Sequence, residues 1–283
     1  MKLRTFMSYE ALNLKVLIVG MSANGKHAEL QRNFKNATFC TWHELNIEDG
    51  VVKVKDVPIT KFQFFLLGTV GENIDMYTCI EAVAKKNGIN YFSYGQPSHV
   101  CNKMLQSVNM AAGGVDQIKT IIALGKEVKA GTLIRELKLP IVSKITKGSK
   151  GKGVEKHDTK ESLESLLKKN PDQPYIFQEF IPNDGDFRIF YVRDQLIYAV
   201  NRTNKGSEFR HNVNGKDTFV DQLDDRAKDL ADRAMLCMKY DVTGVDVVQH
   251  NVTKKWYVLE INPAPQFEGD PSIAIDAIVR YIK

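Results

Sequence analysis

The chain has 283 residues, 43% of them hydrophobic and 26% charged, the balance of an ordinary soluble globular protein with room for about two domains. A formal net charge of +5 excludes a strongly polybasic protein and gives no ground for nucleic-acid binding, though it suits an anionic nucleotide or an acidic substrate. The longest apolar runs are strand-length, far short of the ~20 residues a membrane helix needs, so no membrane role is expected.

Cys40, Cys79, Cys101 and Cys237 form no C-x-x-C pair, and the six histidines are scattered, which argues against zinc, iron–sulfur or disulfide frameworks. After Lys2 and Arg4 the N-terminal stretch is interrupted by Ser8, Glu10 and Asn13, unlike a secretory signal. A cytoplasmic protein with free thiols is the expectation.

In chain order, residues 15–20 read as a buried strand and 25–34 as a helix. Residues 62–67 are a second apolar run, 73–86 have helical spacing, and 89–92 read as a further strand. Buried strands alternating with helices predict a small parallel α/β unit over residues 1–97. The texture changes after Pro97. A helix over 101–111 precedes a broken, lysine-rich region, a strand over 139–145 and a glycine/lysine loop over 146–153. A short helix over 162–169 follows. Hairpin strands over 187–192 and 196–201 flank an Arg193-Asp194-Gln195 turn. A helix over 221–240 carries Leu223, Ala227, Leu230, Ala234 and Met238 on one stripe. Asp270-Pro271 offers an N-cap and a first-turn proline for a terminal helix over 272–282. Residues 98–283 therefore read as a larger α+β region in two sheet-forming parts, about 98–177 and 178–283.

Four segments carry chemistry. Gly244 to Pro265 reads as an antiparallel hairpin closing around residues 251–255, with His250 opposite Trp256 and Asp246 opposite Glu260. Alternation then puts Val245, Val247, Tyr257, Leu259 and Ile261 on one face and Asp246, Glu260 and Asn262 on the other. Facing carboxylates repel, and a cation between them resolves the repulsion. Three hard oxygen donors suit magnesium, with phosphate and water completing the shell; a solvated polar face is the bland alternative.

Lys144, inside a strand, can aim its ammonium at a phosphate from a rigid base. Gly148, Ser149, Lys150, Gly151, Lys152 and Gly153 can wrap backbone N–H groups around anionic oxygens, unless they are only a hairpin tip. Residues 175–182 form an apolar strand ending in Gln178-Glu179-Phe180-Ile181, a hinge able to meet an adenine edge, and Asp186 could hold ribose hydroxyls. Arg202, Lys205, Arg210 and Asn212 cluster after a strand. Arginine forks there would bind carboxylate or phosphate, the alternative being a solvated basic loop.

In this order the segments resemble the ATP-grasp superfamily, most closely its RimK-like ribosomal-protein glutamate ligase and peptide ligase branch. The matching residues are Pro140 to Lys144, Gly148 to Val154, Gln178 to Ile181, Asp186-Phe187-Arg188, Arg202, Glu208 to Asn212, Gly244-Val245-Asp246 and Glu260-Ile261-Asn262-Pro263. They span roughly residues 95–270. The family often continues its metal motif with Ser-Pro, where this chain has Ala264-Pro265. The resemblance implies an ATP-grasp fold, two α+β parts sandwiching ATP, preceded by the small parallel-sheet domain. Lys103 and Lys144 would hold the phosphates, the glycine loop would act as lid, and Glu179 and Ile181 would meet adenine through their backbones. Asp186 would hold ribose, while Asp246, Glu260 and Asn262 would bind two magnesium ions, with manganese as the alternative metal. A carboxylate (a peptide, a protein C-terminus or a small acid) would attack the γ-phosphate. An amine, such as the amino group of glutamate, would displace phosphate from the acyl phosphate. Arg210 would stabilise the tetrahedral charge, with Arg202 and Asn212 positioning substrate. Relatives of this kind are commonly dimers or tetramers, so a homo-oligomer is compatible with the sequence.

Two readings compete. Gly20 to Lys26 matches the phosphate-binding G-x-x-x-x-G-K pattern, but His27 stands where Ser or Thr should ligate magnesium. A non-catalytic ATP-binding sensor is the other, and the presence of both carboxylates, Asn262, Lys144 and Arg210 together argues against it.

Overall fold

The computed structural model describes residues 12–21, 28–97, 102–146, 153–203, 216–267 and 271–282. Of the sequence-predicted site residues, Gly148, Ser149, Lys150, Gly151, Arg210 and Asn212 lie outside the described residues, as do Lys26 and Cys101.

The first sheet is parallel and four-stranded. It is built from β1 (Leu12–Val19), β2 (Phe34–Cys40), β6 (Phe64–Leu67) and β7 (Asn90–Ser93) in the order β2-β1-β6-β7. The apolar run Val16 to Val19 is completely buried because both faces of β1 are covered. Val16 and Ile18 pack on one side, and Leu17 and Val19 on the other. Helix α1 (Ala28–Asn33) follows β1, and α2 (Ile74–Asn87) ends at Gly88 in the left-handed conformation, φ 63°, the usual way to close a helix C-terminus.

Two elements of this region were not expected from the sequence. β2 alternates too weakly to stand out. The antiparallel sheet β3 (Leu45–Glu48), β4 (Val51–Val54) and β5 (Val57–Pro58) turns at Asp49-Gly50 and Lys55-Asp56. All four turn residues have φ between 48° and 78°, the requirement of the two-residue turns that match strand twist. Asp49-Gly50 is the sequence signal for it.

Helix α3 (Lys103–Ala112) leads to the second sheet, β8 (Thr120–Leu124), β9 (Ile141–Ile145), β10 (Val154–His157) and β11 (Pro174–Glu179), in the antiparallel order β10-β9-β11-β8. Helices α4 (Ala130–Leu137) and α5 (Lys160–Lys169) cover one face through Leu133, Leu137, Leu163 and Leu167 against Ile141 and Phe177. The lysine-rich region thus contains β8 and α4.

The third sheet has five strands in the order β14-β13-β12-β15-β16: β12 (Asp186–Val192), β13 (Gln195–Thr203), β14 (Lys216–Phe219), β15 (Val242–Gln249) and β16 (Trp256–Asn262). Helix α6 (Asp225–Met238), shorter than the expected 221–240, buries Ala227, Leu230, Ala231, Ala234 and Met235 against one face. The other face is divided. Phe190, Val192, Tyr198, Val200 and Val242 pack on the first sheet and on α7 (Pro271–Ile282), while residues further along the same strands are charged.

The β15–β16 hairpin corrects the expected register. Asp246 does pair with Glu260, but Val247 pairs with Val258 and Gln249, not His250, pairs with Trp256. Leu259 is therefore an extra residue, a β-bulge. Beyond it the faces exchange. Trp256 and Val258 join Val245, Val247 and Ile261 in the core with α6, whereas Tyr257 and Leu259 turn to the opposite side beside Ile118, Ile181 and Val248.

Candidate active site

Cross-strand pairing sets a row of charges on the divided face. Glu260 is opposite Asp246, Asp246 is opposite Arg188, and Asp186 is opposite Arg202. Arg188 donates from Nε and Nη2 to the two oxygens of Asp246 at 2.8 and 2.9 Å. Arg202 Nη2 stands 3.0 Å from Asp246 Oδ2 and also pairs with Asp186. Asn262 donates from Nδ2 to Asp246 Oδ2 at 3.1 Å. Asp186, Arg188, Arg202 and Asp246 are all buried, so removing one member would strand the others' charges at a cost of ~3–5 kcal/mol.

Opposition across the cleft comes from two lysines. Lys103 begins α3, whose N-cap Asn102 accepts from Leu105 N at 2.9 Å. One turn on, the buried Gln106 accepts from Ile261 N at 3.1 Å. That bond pins α3 beside β16 and sets Lys103 Nζ 2.6 Å from Glu260 Oε2. Lys144 rises from β9, and Lys103, Gln106, Thr120, Lys144, Gln178, Leu259 and Glu260 line one cleft between α3 and the second and third sheets. The bulge at Leu259 is what lets both Leu259 and Glu260 face it.

Burial and neighbouring charge tune these groups. Burial lowers Lys144 to about 8, with the attraction of Glu260 opposing the drop. Burial alone would raise Glu260, but Lys103 and Lys144 override it and hold the carboxyl far below the usual range. Asp246 is likewise kept low against burial by Arg188 and Arg202. Asp186 moves the other way, pushed up to about 6 by burial, because Arg202 is shared with Asp246.

The predicted residues thus fall into groups. Lys103, Lys144, Gln178 and Glu260 meet in the cleft, and Asp246, Asn262, Arg202 and Asp186 form the adjoining network. The carboxylate of Asp186, expected to hold ribose, is turned to Arg202. At the hinge, Gln178 Nε2 donates to Thr120 Oγ1 at 3.0 Å and Phe180 lies under Lys156, 4.9 Å from Nζ to the ring centre. Ile181 is buried beside Val248, Glu179 is exposed, and Gly153 adopts φ 71° at the start of β10. Sequence reasoning gave Arg188 and Gln106 no role. The pairing Arg188–Asp246 depends on strand register, and Gln106 was legible only as the residue one helical turn after Lys103.

The donors fit a hard divalent cation. Among the described residues no group of three or more His, Cys, Asp or Glu is placed to hold a metal by itself; a cation here would draw on Asp246, Glu260 and the amide oxygen of Asn262, all oxygen donors. In this structure the facing carboxylates are reconciled by cationic side chains on each, the same electrostatic demand a metal would meet. The G-x-x-x-x-G-K candidate has a structural account at its first glycine. Gly20 (φ 70°) lies so close to Trp42 that a Cβ would stand 2.3 Å from Nε1.

Two α+β layers of antiparallel sheet meeting over a lysine-rich, carboxylate-floored cleft define the ATP-grasp class. Within it the chain belongs to the RimK-like ATP-grasp family, whose domain matches residues 100–283. A probable alpha-L-glutamate ligase of Mannheimia succiniciproducens is 32% identical over 172 residues, 59% of this chain and 56% of that protein. Another, from Syntrophotalea carbinolica, is 32% identical over 51% of this chain and 50% of its own length. The chain thus spans about half the length of the curated relatives it matches. The fold is shared with the ATP-grasp ligase PsnB complexed with minimal precursor, Mg and ADP (TM-score 0.71, 16% identity, 96% of this chain and 100% of that one). It is also shared with a D-alanine–D-alanine ligase from Bacillus anthracis complexed with ATP (TM-score 0.62, 16% identity, 93% and 92%).

Proposed function

We propose that this protein is an ATP- and magnesium-dependent carboxylate–amine ligase that forms an amide bond through an acyl phosphate and releases ADP and phosphate. The observation that carries the reading is the convergence of Lys103 and Lys144 on Glu260, with Asp246 directly opposite it, in a chain of the RimK-like family. Lys103 and Lys144 neutralise the phosphates, and Gln178 to Ile181 frame the base. Asp246, Glu260 and Asn262 hold the metal, which when bound offsets charge on the transferring phosphoryl group. Arg188 and Arg202 fix the Asp246 carboxylate, Arg202 and Asn212 position substrate, and Arg210 stabilises the charge of the tetrahedral intermediate. Nothing in this scheme needs a covalent enzyme nucleophile; orientation and preorganised charge carry it.

The name glutamate ligase carried by relatives favours glutamate as the amino acid added; a peptide or protein carboxyl group is the proposed acceptor. In this reading residues 1–97 form an N-terminal α/β domain preceding the ATP-grasp region, and the site operates in a cytoplasmic protein. The test is product analysis with ATP, magnesium, pooled amino acids and a peptide panel. ADP and phosphate appearing only when both a carboxylate and an amine are present is the expected result. AMP and pyrophosphate would overturn the acyl-phosphate route, and ATP hydrolysis indifferent to both substrates would overturn the ligase.

A further inference from the structure

A second polar cavity of about 540 Å³ lies where the first sheet meets the third, lined by Glu81, Lys85, Tyr91, Arg193, Lys239 and Asp241 among others. That is within the size range of small-molecule sites. It lies away from the cleft. Arg193 and Asp241 are each five residues along β12 and β15 from Arg188 and Asp246, ~17 Å at the rise of a strand.

The hydrogen bonds around the cavity give it a sign. Both carboxylates that line it are already used. Asp241 Oδ2 accepts from Ser93 N at 2.7 Å and its Oδ1 lies 2.6 Å from Arg193 Nε. Glu81 Oε1 accepts from Tyr91 OH at 2.5 Å and Oε2 lies 3.2 Å from Lys85. The unused capacity is on the donors. Arg193 Nε is spent on Asp241, which leaves the Nη groups of the guanidinium, for which no partner occurs among the described residues. The guanidinium is held in place by the rings of Tyr281 and Phe92, 4.8 and 5.7 Å away. The Lys239 ammonium has no hydrogen-bond or ion-pair partner among the described residues. A guanidinium and an ammonium offer donors only, so what completes them is an acceptor.

Both cations also sit on unusual backbone. Arg193 has φ 53° and Lys239 φ 52°, the left-handed region in which glycine or asparagine is the ordinary choice. Lys239 closes α6 there. Two basic side chains at two such positions, opening on one cavity, make a joint feature that helix capping alone does not require.

We infer that this cavity is a second, non-catalytic ligand site, which takes a small anion bearing carboxylate or phosphate groups on Arg193 and Lys239. Because Asp241 ties β15 to Ser93 of β7, an anion drawn to Arg193 would act on the joint between the two regions.

The backbone supplies a clean test. Glycine suits the backbone at both positions. Lys239→Gly removes an exposed cation and should leave the thermal midpoint unchanged, whereas Arg193→Gly also unpairs the buried Asp241 and should lower it. Calorimetric titration of the full chain, with ADP and magnesium saturating the cleft, would use citrate, L-glutamate and inorganic phosphate as probes. The expected result is one-to-one binding of at least one probe, weakened ~10-fold or more by each glycine variant, with ADP affinity unchanged. Preference for citrate or glutamate over phosphate would assign a carboxylate ligand, and the reverse a phosphate. If no probe binds below ~10 mM, Lys85 and Lys239 act only as cations offsetting the helix C-termini and the inference falls. It falls equally if a probe binds unaffected by both substitutions, because its site is then elsewhere.

Discussion

The divided face of the five-stranded sheet holds two environments on the same strands. At one end Phe190, Val192, Tyr198, Val200 and Val242 pack against the first sheet and α7; at the other, Asp186, Arg188, Arg202 and Asp246 are as deeply buried but charged. The apolar end is held by area and shape, contributions that are individually modest and tolerant of small changes. The charged end is held by pairing, in which every member is compensated by another and none can be dropped alone. Stability built the first way costs little in options, whereas the second is retained where charge must be presented to something else.

Substitutions can set the two ends against each other. The largest effect is expected for Glu260→Gln, which removes a proposed metal ligand. Product formation in a coupled ADP assay should fall ~10³-fold or more, while circular dichroism shows the fold retained. Next, Arg188→Met should lower unfolding free energy by ~3–5 kcal/mol in urea by stranding Asp246, against ~2 kcal/mol for Val242→Ala at the apolar end. Equal losses would show that the charged network is no more brittle than the core.

Lys144 gives a smaller, pH-dependent effect. With its pKa lowered to about 8 by burial, the ammonium is charged at pH 7 and largely neutral by pH 9. Affinity for a polyphosphate should therefore fall ~10-fold as pH rises through 8, with proton uptake on binding near pH 8 in calorimetry. A Lys144→Ala protein should bind more weakly and lose that proton uptake.

Smaller still is His157, which is buried with Nε2 and Nδ1 each 2.8 Å from the hydroxyls of Ser143 and Ser162. Burial lowers its pKa. The neutral ring is thus favoured in the fold, and its contribution is complete above the unfolded value of ~6.5 and lost as pH falls below it. Thermal midpoints should drop a few degrees between pH 7 and 5, and less so in His157→Gln. Lys26→Ala should change neither nucleotide affinity nor turnover; loss of nucleotide binding would revive the phosphate-loop reading.

Much of this was legible in the residues. Val16 to Val19 announced a strand buried on both faces, and Asp246, Glu260 and Asn262 announced a carboxylate pair on one side of a hairpin. What stayed hidden has physical causes. β2 alternates too weakly for its period to show, and α4, though Ala130, Leu133 and Leu137 form one buried stripe, spans only eight residues inside a lysine-rich stretch. The bulge at Leu259 leaves no mark in composition, since a single unpaired residue in an apolar strand looks like any other. Arg188 acquires its importance only from facing Asp246 across the sheet, a long-range pairing that spacing along the chain cannot express.

The bond from Ile261 N to Gln106 has a mechanical corollary. It fastens α3, and with it Lys103, to the sheet that carries Glu260, while Lys144 stands on β9 in the other sheet. The two ammonium groups therefore rest on separate foundations, like the fixed and sliding jaws of a vise. A polyphosphate gripped by both would serve as the tie between the jaws, and a shift of one sheet by a few ångströms would loosen the grip without disturbing the footing of either lysine.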